Sequence, residues 1–428
     1  MIDDFRPEGR RKPKVIEPLP KPDLQPLPPL DDVNESEPAF KTPEEAAKDD
    51  IPEAVQYPDG GVAGHFSAAK KHFKRLHISW PPTKRQWIVI GVVILLLGGG
   101  ITSFVLLHQP IKPATKAITK APPRKAPAKP VTVASTLTGL QVDPSVNKRP
   151  VTGVMIENSP DARPQSGLDQ AGVVFEAIAE GGITRFLALF QDTQPNYIGP
   201  VRSARPYYIQ WALGFDAGYA HVGGSPEALQ DIKNWHVRDL DQFYNSGAYQ
   251  RISNRYAPHN VYTSIAQLNQ VESSKGYTSS TFTGFARKAD NPSKTPNASS
   301  IDITFSGYYY NTHYDYDATT NSYKRSEGGA PHMELNKDGS QTQITPKVVL
   351  ALIMPYSLES DNHHSQYGTI GSGPMYAFED GTVVQGTWSK SAATSQFVFT
   401  DANGQPLKLN AGQTWISAVA DTGKVSYK

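Results

Sequence analysis

AGVVFEAIAEGGITRFLALFQ (171–191) is the stretch that decides the fold. AGVVFEAIAE (171–180) and ITRFLALFQ (183–191) are rich in residues that favour strands, and only Gly181 and Gly182 separate them, which is a β-hairpin signal. A two-residue loop sets Glu180 opposite Ile183, Ile178 opposite Arg185 and Glu176 opposite Leu187. Strand alternation then sends Val173, Phe175, Ala177, Ala179, Phe186, Ala188 and Phe190 to a core face. Glu176, Glu180 and Arg185 share the other face, where Arg185 reaches either glutamate diagonally. A solvated ion-pair ladder is the plain reading. Val174, Ile178, Leu187 and Leu189 interleave with the charges, however, and a partly covered face makes them costlier.

Flanking segments extend this hairpin into a domain. VTGVMIE (151–157) reads as a buried strand running into the turn-rich loop NSPDARPQSG, with Glu157 and Asn158 at the junction. PYYIQWALGF reads as a helix with Pro206 in its first turn, and AGYAHV (217–222) as a strand. Ser225 caps a second helix that has Pro226 at its first position, and Ser264 caps a third through Ile265, Leu268 and Val271. Residues 140–290 are therefore expected to form an α+β domain, a mixed sheet with helices. Beyond the linker NPSKTPNASS (291–300) the character changes. IDITFSGYYY, KVVLALIMPY, MYAFEDGTVVQGTWS and SQFVFTDANGQPLKL are strand-rich and punctuated by Asp380-Gly381 and Asn403-Gly404, so 291–428 is expected to be a β-rich second domain.

The N-terminal part reads differently. WIVIGVVILLLGGGITSFVLL (87–107) carries no charge and has the length of a single transmembrane helix, about 20 residues. Residues 1–64 form a Pro-rich, charged leader that is expected to be disordered and cytoplasmic. In the basic juxtamembrane segment 65–86, Phe66, Ala69, Phe73 and Leu76 recur at helical spacing, which suits an anionic inner leaflet. Basic flanks on the two sides of the span nearly balance, and this amphipathic pattern favours an inside N-terminus. Residues 108–139 read as a Pro/Ala/Lys-rich stalk; its segment 108–130 would reach roughly 70 Å in polyproline form.

Composition limits the chemistry. The 428 residues carry a formal net charge of +1, which gives no hint of nucleic acid, and contain no cysteine, which excludes disulfides, thiolate metal sites and thiol catalysis. No nucleophile elbow, zinc-protease helix, phosphate loop or dinucleotide fingerprint stands at a convincing spacing. No cofactor is expected. His363 and His364 with Asp361 and His332 are the nearest approach to a metal set, and adjacent histidines in a polar loop are usually loop residues.

Three constellations remain. In IGPVRSARPYY (198–208), Arg202 and Arg205 precede a helix start and suit a phosphate or carboxylate, or else pair with Glu176, Glu180 or Asp216. In GYAHVGGSPEAL (218–229), His221 ends a strand and Ser225 opens a helix, a place where open sheets bind ligands, although a core histidine reads equally well. RISNRYAPHNVYTS (251–264) adds Arg255 and His259. With Glu157, Asn158, Glu176, Glu180 and Arg185 these are the candidate ligand-binding residues.

The same residues carry a family likeness. MIENSPDARPQSGLDQAGVVFEAIAEGGITRFLALFQ, IGPVRSAR, YAHVGGSPEAL and YAPHNVYTS, with YGTIGSGPMYAFEDGTVVQGTW and LNAGQTWI further on, resemble the YerB-like lipoprotein family of bacterial cell-envelope proteins over about residues 140–428. The resemblance implies an extracytoplasmic, membrane-anchored protein with N- and C-terminal modules of unknown function. It supplies no catalytic residues. Two departures stand out: a hydrophobic span replaces the lipoprotein cysteine, and PHMEL (331–335) has Glu334 where an aspartate is expected. The leading expectation is a binding protein that meets an anionic wall component or an envelope protein through an Arg-rich cleft. The alternative is a hydrolase or transferase acting on wall glycan or peptide, with Glu176 or Glu180 as acid or base and His221 or His259 assisting. Against a glycosidase pair, four residues of strand separate the two glutamate backbones by about 13 Å.

Overall fold

The computed structural model describes residues 131–428 and four positions before them, Trp87, Ile88, Gly91 and Val92, which are helical. Among the described residues no helix is long and apolar enough to cross a membrane. The remainder of the expected span at 87–107, the leader, the juxtamembrane segment and residues 108–130 of the expected stalk lie outside the described residues. The fold is under way before Leu140: Val133–Ala134 pairs with Gln141–Val142, and Leu137 is buried in the core.

Numbered along the chain, the first strands are β1 (Thr152–Glu157), β2 (Val173–Glu180), β3 (Ile183–Phe190), β4 (Gly218–Ala220) and β5 (Arg238–Asp239). Then come β6 (Ser300–Ile303), β7 (Thr312–Asp317), β8 (Ser322–Glu327) and β9 (Ala330–Pro331). Last are β10 (Val348–Ile353), β11 (Gly371–Glu379), β12 (Thr382–Lys390), β13 (Val398–Asp401), β14 (Thr414–Val419) and β15 (Val425–Tyr427). The helices are α1 (Pro206–Leu213), α2 (Pro226–Asn234) and α3 (Ile265–Ser274).

An α+β domain followed by a separate β-rich one is not what forms. Strands from both halves make one ten-stranded sheet in the order β13-β12-β11-β10-β14-β2-β3-β1-β4-β5, and β14 lies parallel to both β10 and β2. Residues 131–428 are mostly β, with three helices of eight to ten residues. The reason lies in β10 and β14, VVLALI and TWISAV, which are apolar on both faces as central strands covered on both sides must be. Such strands find no place at the edge of an independent domain.

Both faces of the sheet are covered. Val173, Phe175 and Leu187 on one face join an apolar cluster with Tyr207 and Trp211 of α1 and Ile232 of α2. Trp211 stacks on Phe175 with ring centroids 5.0 Å apart. Val174, Phe186 and Ala188 on the other face pack with Leu268 of α3 and with Ile301, Tyr314 and Tyr323. The last three belong to a five-stranded sheet, β9-β8-β7-β6-β15.

The Gly181-Gly182 hairpin forms, with φ of +54° and +80° at its two glycines, as a tight turn with two left-handed positions requires. Its register differs from the regular ladder. Glu180 does pair with Ile183, but a bulge between Ile178 and Glu180 moves every earlier pair by one, so Glu176 faces Phe186 and Ala177 faces Arg185. A one-residue slip exchanges the faces of a strand. Phe186, Ala188 and Phe190 therefore lie on the face of Val174, not that of Val173. The two glutamates part company as well: Glu176 shares a face with Thr184, and Glu180 shares the opposite face with Arg185.

Candidate functional site

β1, β2, β4, β5, β10, β12 and β14 run in one direction and β3 runs against them, so one edge of the sheet collects seven carboxyl ends. Glu157 ends β1, Glu180 ends β2, and Arg185 lies near the start of β3, directly opposite Glu157. α1 and α2 begin at the same edge, behind Arg205 and Ser225. Ligands of open sheets bind outside such carboxyl ends.

On the helix-covered face, Glu180 holds Arg185 at 2.5 Å and also Arg205. Burial alone would raise the Glu180 carboxyl, but Arg185 and Arg205 outweigh it and bring the group down to about 2. Glu157 is buried and pairs with Arg202 at 3.3 Å and with His259 Nδ1 at 3.0 Å, and Ser159 donates to it at 2.9 Å. The edge thus sets three guanidinium groups against two carboxylates. Burial, followed by the neighbouring Arg185, pulls both Arg202 and Arg205 below the ordinary arginine value. The Nε atoms of Arg185, Arg202 and Arg205 are buried without a hydrogen-bond partner among the described residues. A negative charge placed nearby would favour the charged form of Arg202 and Arg205.

Ser159, His259 and Glu157 form no nucleophilic relay. Both the hydroxyl, at 3.3 Å, and the carboxylate meet the same Nδ1 atom, whereas a relay spans the imidazole from one nitrogen to the other. The arrangement instead orients Nε2 of His259 outward, and the side chain is 21% exposed. Arg255 sits on the adjoining loop, donating to the carbonyls of Pro164 at 2.7 Å and Asp161 at 3.3 Å.

The other face of the same strands carries a sealed network. Nη2 of Arg325, from β8, donates to both carboxylate oxygens of Glu176 at 2.8 and 3.0 Å, and the indole N–H of Trp415 donates to that carboxylate at 2.9 Å. Glu176 and Arg325 are both 0% exposed. Burial opposes the charge on Arg325, yet Glu176 and Glu327 hold its guanidinium above the ordinary value, so it stays cationic. Arg325 also lies over the Trp415 ring, 4.6 Å from its centroid. Asn158 belongs to this network, donating to Thr184 at 2.6 Å and to Glu327 at 2.5 Å. Glu176 is fully engaged and shielded, so it meets no substrate and its role is to hold Arg325.

The remaining candidates resolve one by one. His221 is 0% exposed, and both its ring nitrogens face acceptors, the Gly223 carbonyl at 2.7 Å and Asp239 at 3.1 Å. It serves the core. Ser225 caps α2 by accepting from Ala228 and donates to Glu359 at 3.1 Å. The His332, Asp361, His363 and His364 set does not assemble, because His332 lies in the Arg325 network. Among the described residues, ligand atoms of Glu359, Asp361 and His364 do come within 4.8 Å of one another, but Asp361 is occupied by the backbone of His363 and His364 and by the His364 ring. Glu334 is buried and accepts from the Asp169 backbone at 2.9 Å, which gives that acid a structural task.

Arg163, Arg325 and Glu327 were not singled out in the sequence. Arg163 was visible inside NSPDARPQSG, but Arg325 stands in SYKRSE, which reads as a solvated polar strand. Nothing local reveals that β8 is pressed on the sheet 149 residues from its partner Glu176.

Two family profiles match the chain: "Protein of unknown function (DUF3048) N-terminal domain" over residues 137–278 and "Protein of unknown function (DUF3048) C-terminal domain" over residues 301–416. A Bacillus subtilis relative named "Putative lipoprotein YerB" is 29% identical over 296 residues, 68% of this chain and 87% of that protein. The crystal structure of YerB protein from Bacillus subtilis aligns with a TM-score of 0.62 at 28% identity, covering 69% of this chain and 99% of that one. Both modules, in order and on a shared fold, place this chain in the YerB-like family.

Proposed function

We propose that this chain is an extracytoplasmic, membrane-associated envelope protein that binds an anionic wall component at the edge formed by Glu157, Arg202 and His259. The location follows from the lipoprotein description of its relative. One observation carries the binding reading. The Arg202 guanidinium makes a single ion pair, to Glu157, and no hydrogen bond among the described residues, while its side chain is 22% exposed. A partly exposed fork with free N–H groups beside a surplus of positive charge suits a phosphate or carboxylate. Arg205 supports the site from beneath by holding Glu180.

Cosedimentation of the full chain with isolated bacterial cell wall tests this. Arg202→Ala combined with His259→Ala is expected to weaken retention about ten-fold or more at low salt, with the melting temperature little changed. Retention unaffected by the double substitution would overturn the reading. Retention by an envelope protein captured with the wall, surviving removal of the polymer, would replace the polymer with a protein partner.

A further inference from the structure

A pocket opens on the far side of the 158–165 loop and takes no part in the anion reading. It measures about 360 Å³, with Arg163, Tyr309, Pro331 and Gln341 in its walls above Glu327 and His332. That size falls within the range of about 300–1,000 Å³ usual for small-molecule sites. Gly328 and Gly329 turn its rim with φ of +58° and +78°, and any side chain on Gly329 would strike the Tyr308 hydroxyl. Glycine there lets the Tyr308–Tyr310 turn lie against the β8–β9 hairpin, leaving Tyr309 60% exposed beside the opening.

The lining selects among ligands. Arg163 and Glu327 lie 3.4 Å apart and offset each other's charge. Burial, then Arg325 and Arg163, pull His332 well below its ordinary value, so it is neutral. Its Nδ1 accepts from Arg325 and its Nε2 donates to Gln165 at 3.0 Å. An acyl chain would cover the Arg163 Nη1 group and the Gln341 amide without offering either a partner. A phosphate or carboxylate finds no surplus of positive charge here, because Glu327 already pairs with Arg163 and Arg325.

What fits is an uncharged ring with an apolar C–H face and a rim of hydroxyl groups. Tyr309 and Pro331 offer the apolar side. On the polar side, the Gln341 amide both donates and accepts, and Arg163 Nη1 makes no hydrogen bond among the described residues. We propose that this pocket binds one neutral pyranose ring of a saccharide, laid against Tyr309 and hydrogen-bonded by Arg163 and Gln341.

Isothermal titration of the full chain with the β-1,4-linked tetramer of N-acetylglucosamine, and in parallel with maltotetraose, tests the proposal. At least one of the two is expected to bind. Tyr309→Ala, at an exposed position, is expected to weaken that binding about ten-fold. Ala330→Trp, which fills the mouth from an exposed strand residue, is expected to abolish it. Arg202→Ala is expected to leave it unchanged, which separates this pocket from the anion edge. Binding of neither saccharide, binding indifferent to Tyr309→Ala or Ala330→Trp, or binding lost with Arg202→Ala would overturn it.

Discussion

Glu176 and Glu180 stand four positions apart and answer to different arginines on opposite faces of the sheet. Removing Glu176 strands a buried guanidinium, so Glu176→Ala is expected to cost about 3–5 kcal/mol, read from urea denaturation. Glu180 is the carboxylate partner of two buried guanidinium groups, so Glu180→Ala is expected to cost at least as much. A clearly smaller loss at Glu180 would mean that water entering at its partly exposed edge serves Arg185 and Arg205 instead. At this scale Glu157, Arg202 and His259 could be named as candidates, as charged side chains next to strand ends and helix starts, whereas their pairing with one another depends on the fold. Arg325 was illegible, since an arginine in an alternating polar strand declares nothing until the face opposite it is known.

Helix starts and the hairpin turn could be read from short-range chemistry. Ser225 and Ser264 accept from Ala228 and Gln267, as residues before a helical run do. Ser264→Ala is expected to cost about 1 kcal/mol by thermal denaturation. Ser225→Ala should cost more, because Glu359 then loses its donor as well. A smaller loss at Ser225 would show that solvent serves Glu359 instead. The bulge between Ile178 and Glu180 was not legible. Alternation predicts a regular ladder, and the packing of Phe186 against Trp415, 5.3 Å between ring centroids, belongs to the shifted register.

Across the molecule, one sheet joins segments that looked like separate domains, and pairing over such distances leaves no periodic trace. The buried acids that come with it make stability fall as the medium turns alkaline. Burial raises Glu272, which packs against β1 through Thr152, to about 8. Burial, aided by Asp169, raises Glu334 to about 9. An unfolded chain releases both protons near 4.5, whereas the folded chain keeps them until about 8 or 9. Between those values the unfolded state binds fewer protons, so stability declines as pH climbs through that window. Glu180 works in the other direction, with a contribution present above about 4.5 that is lost as pH falls toward about 2. Glu272→Gln is therefore expected to raise the melting temperature more at pH 8.5 than at pH 5, and an equal gain at both would contradict a raised Glu272.

The anion edge is tested most directly by hydrogen–deuterium exchange on the full chain with and without isolated bacterial cell wall. Protection should appear together in segments 157–164, 200–205 and 255–259, around Glu157, Arg202 and His259, and should vanish with Arg202→Ala. Protection confined to other parts of the sheet, or none in these three segments while the protein is retained on the wall, would contradict it.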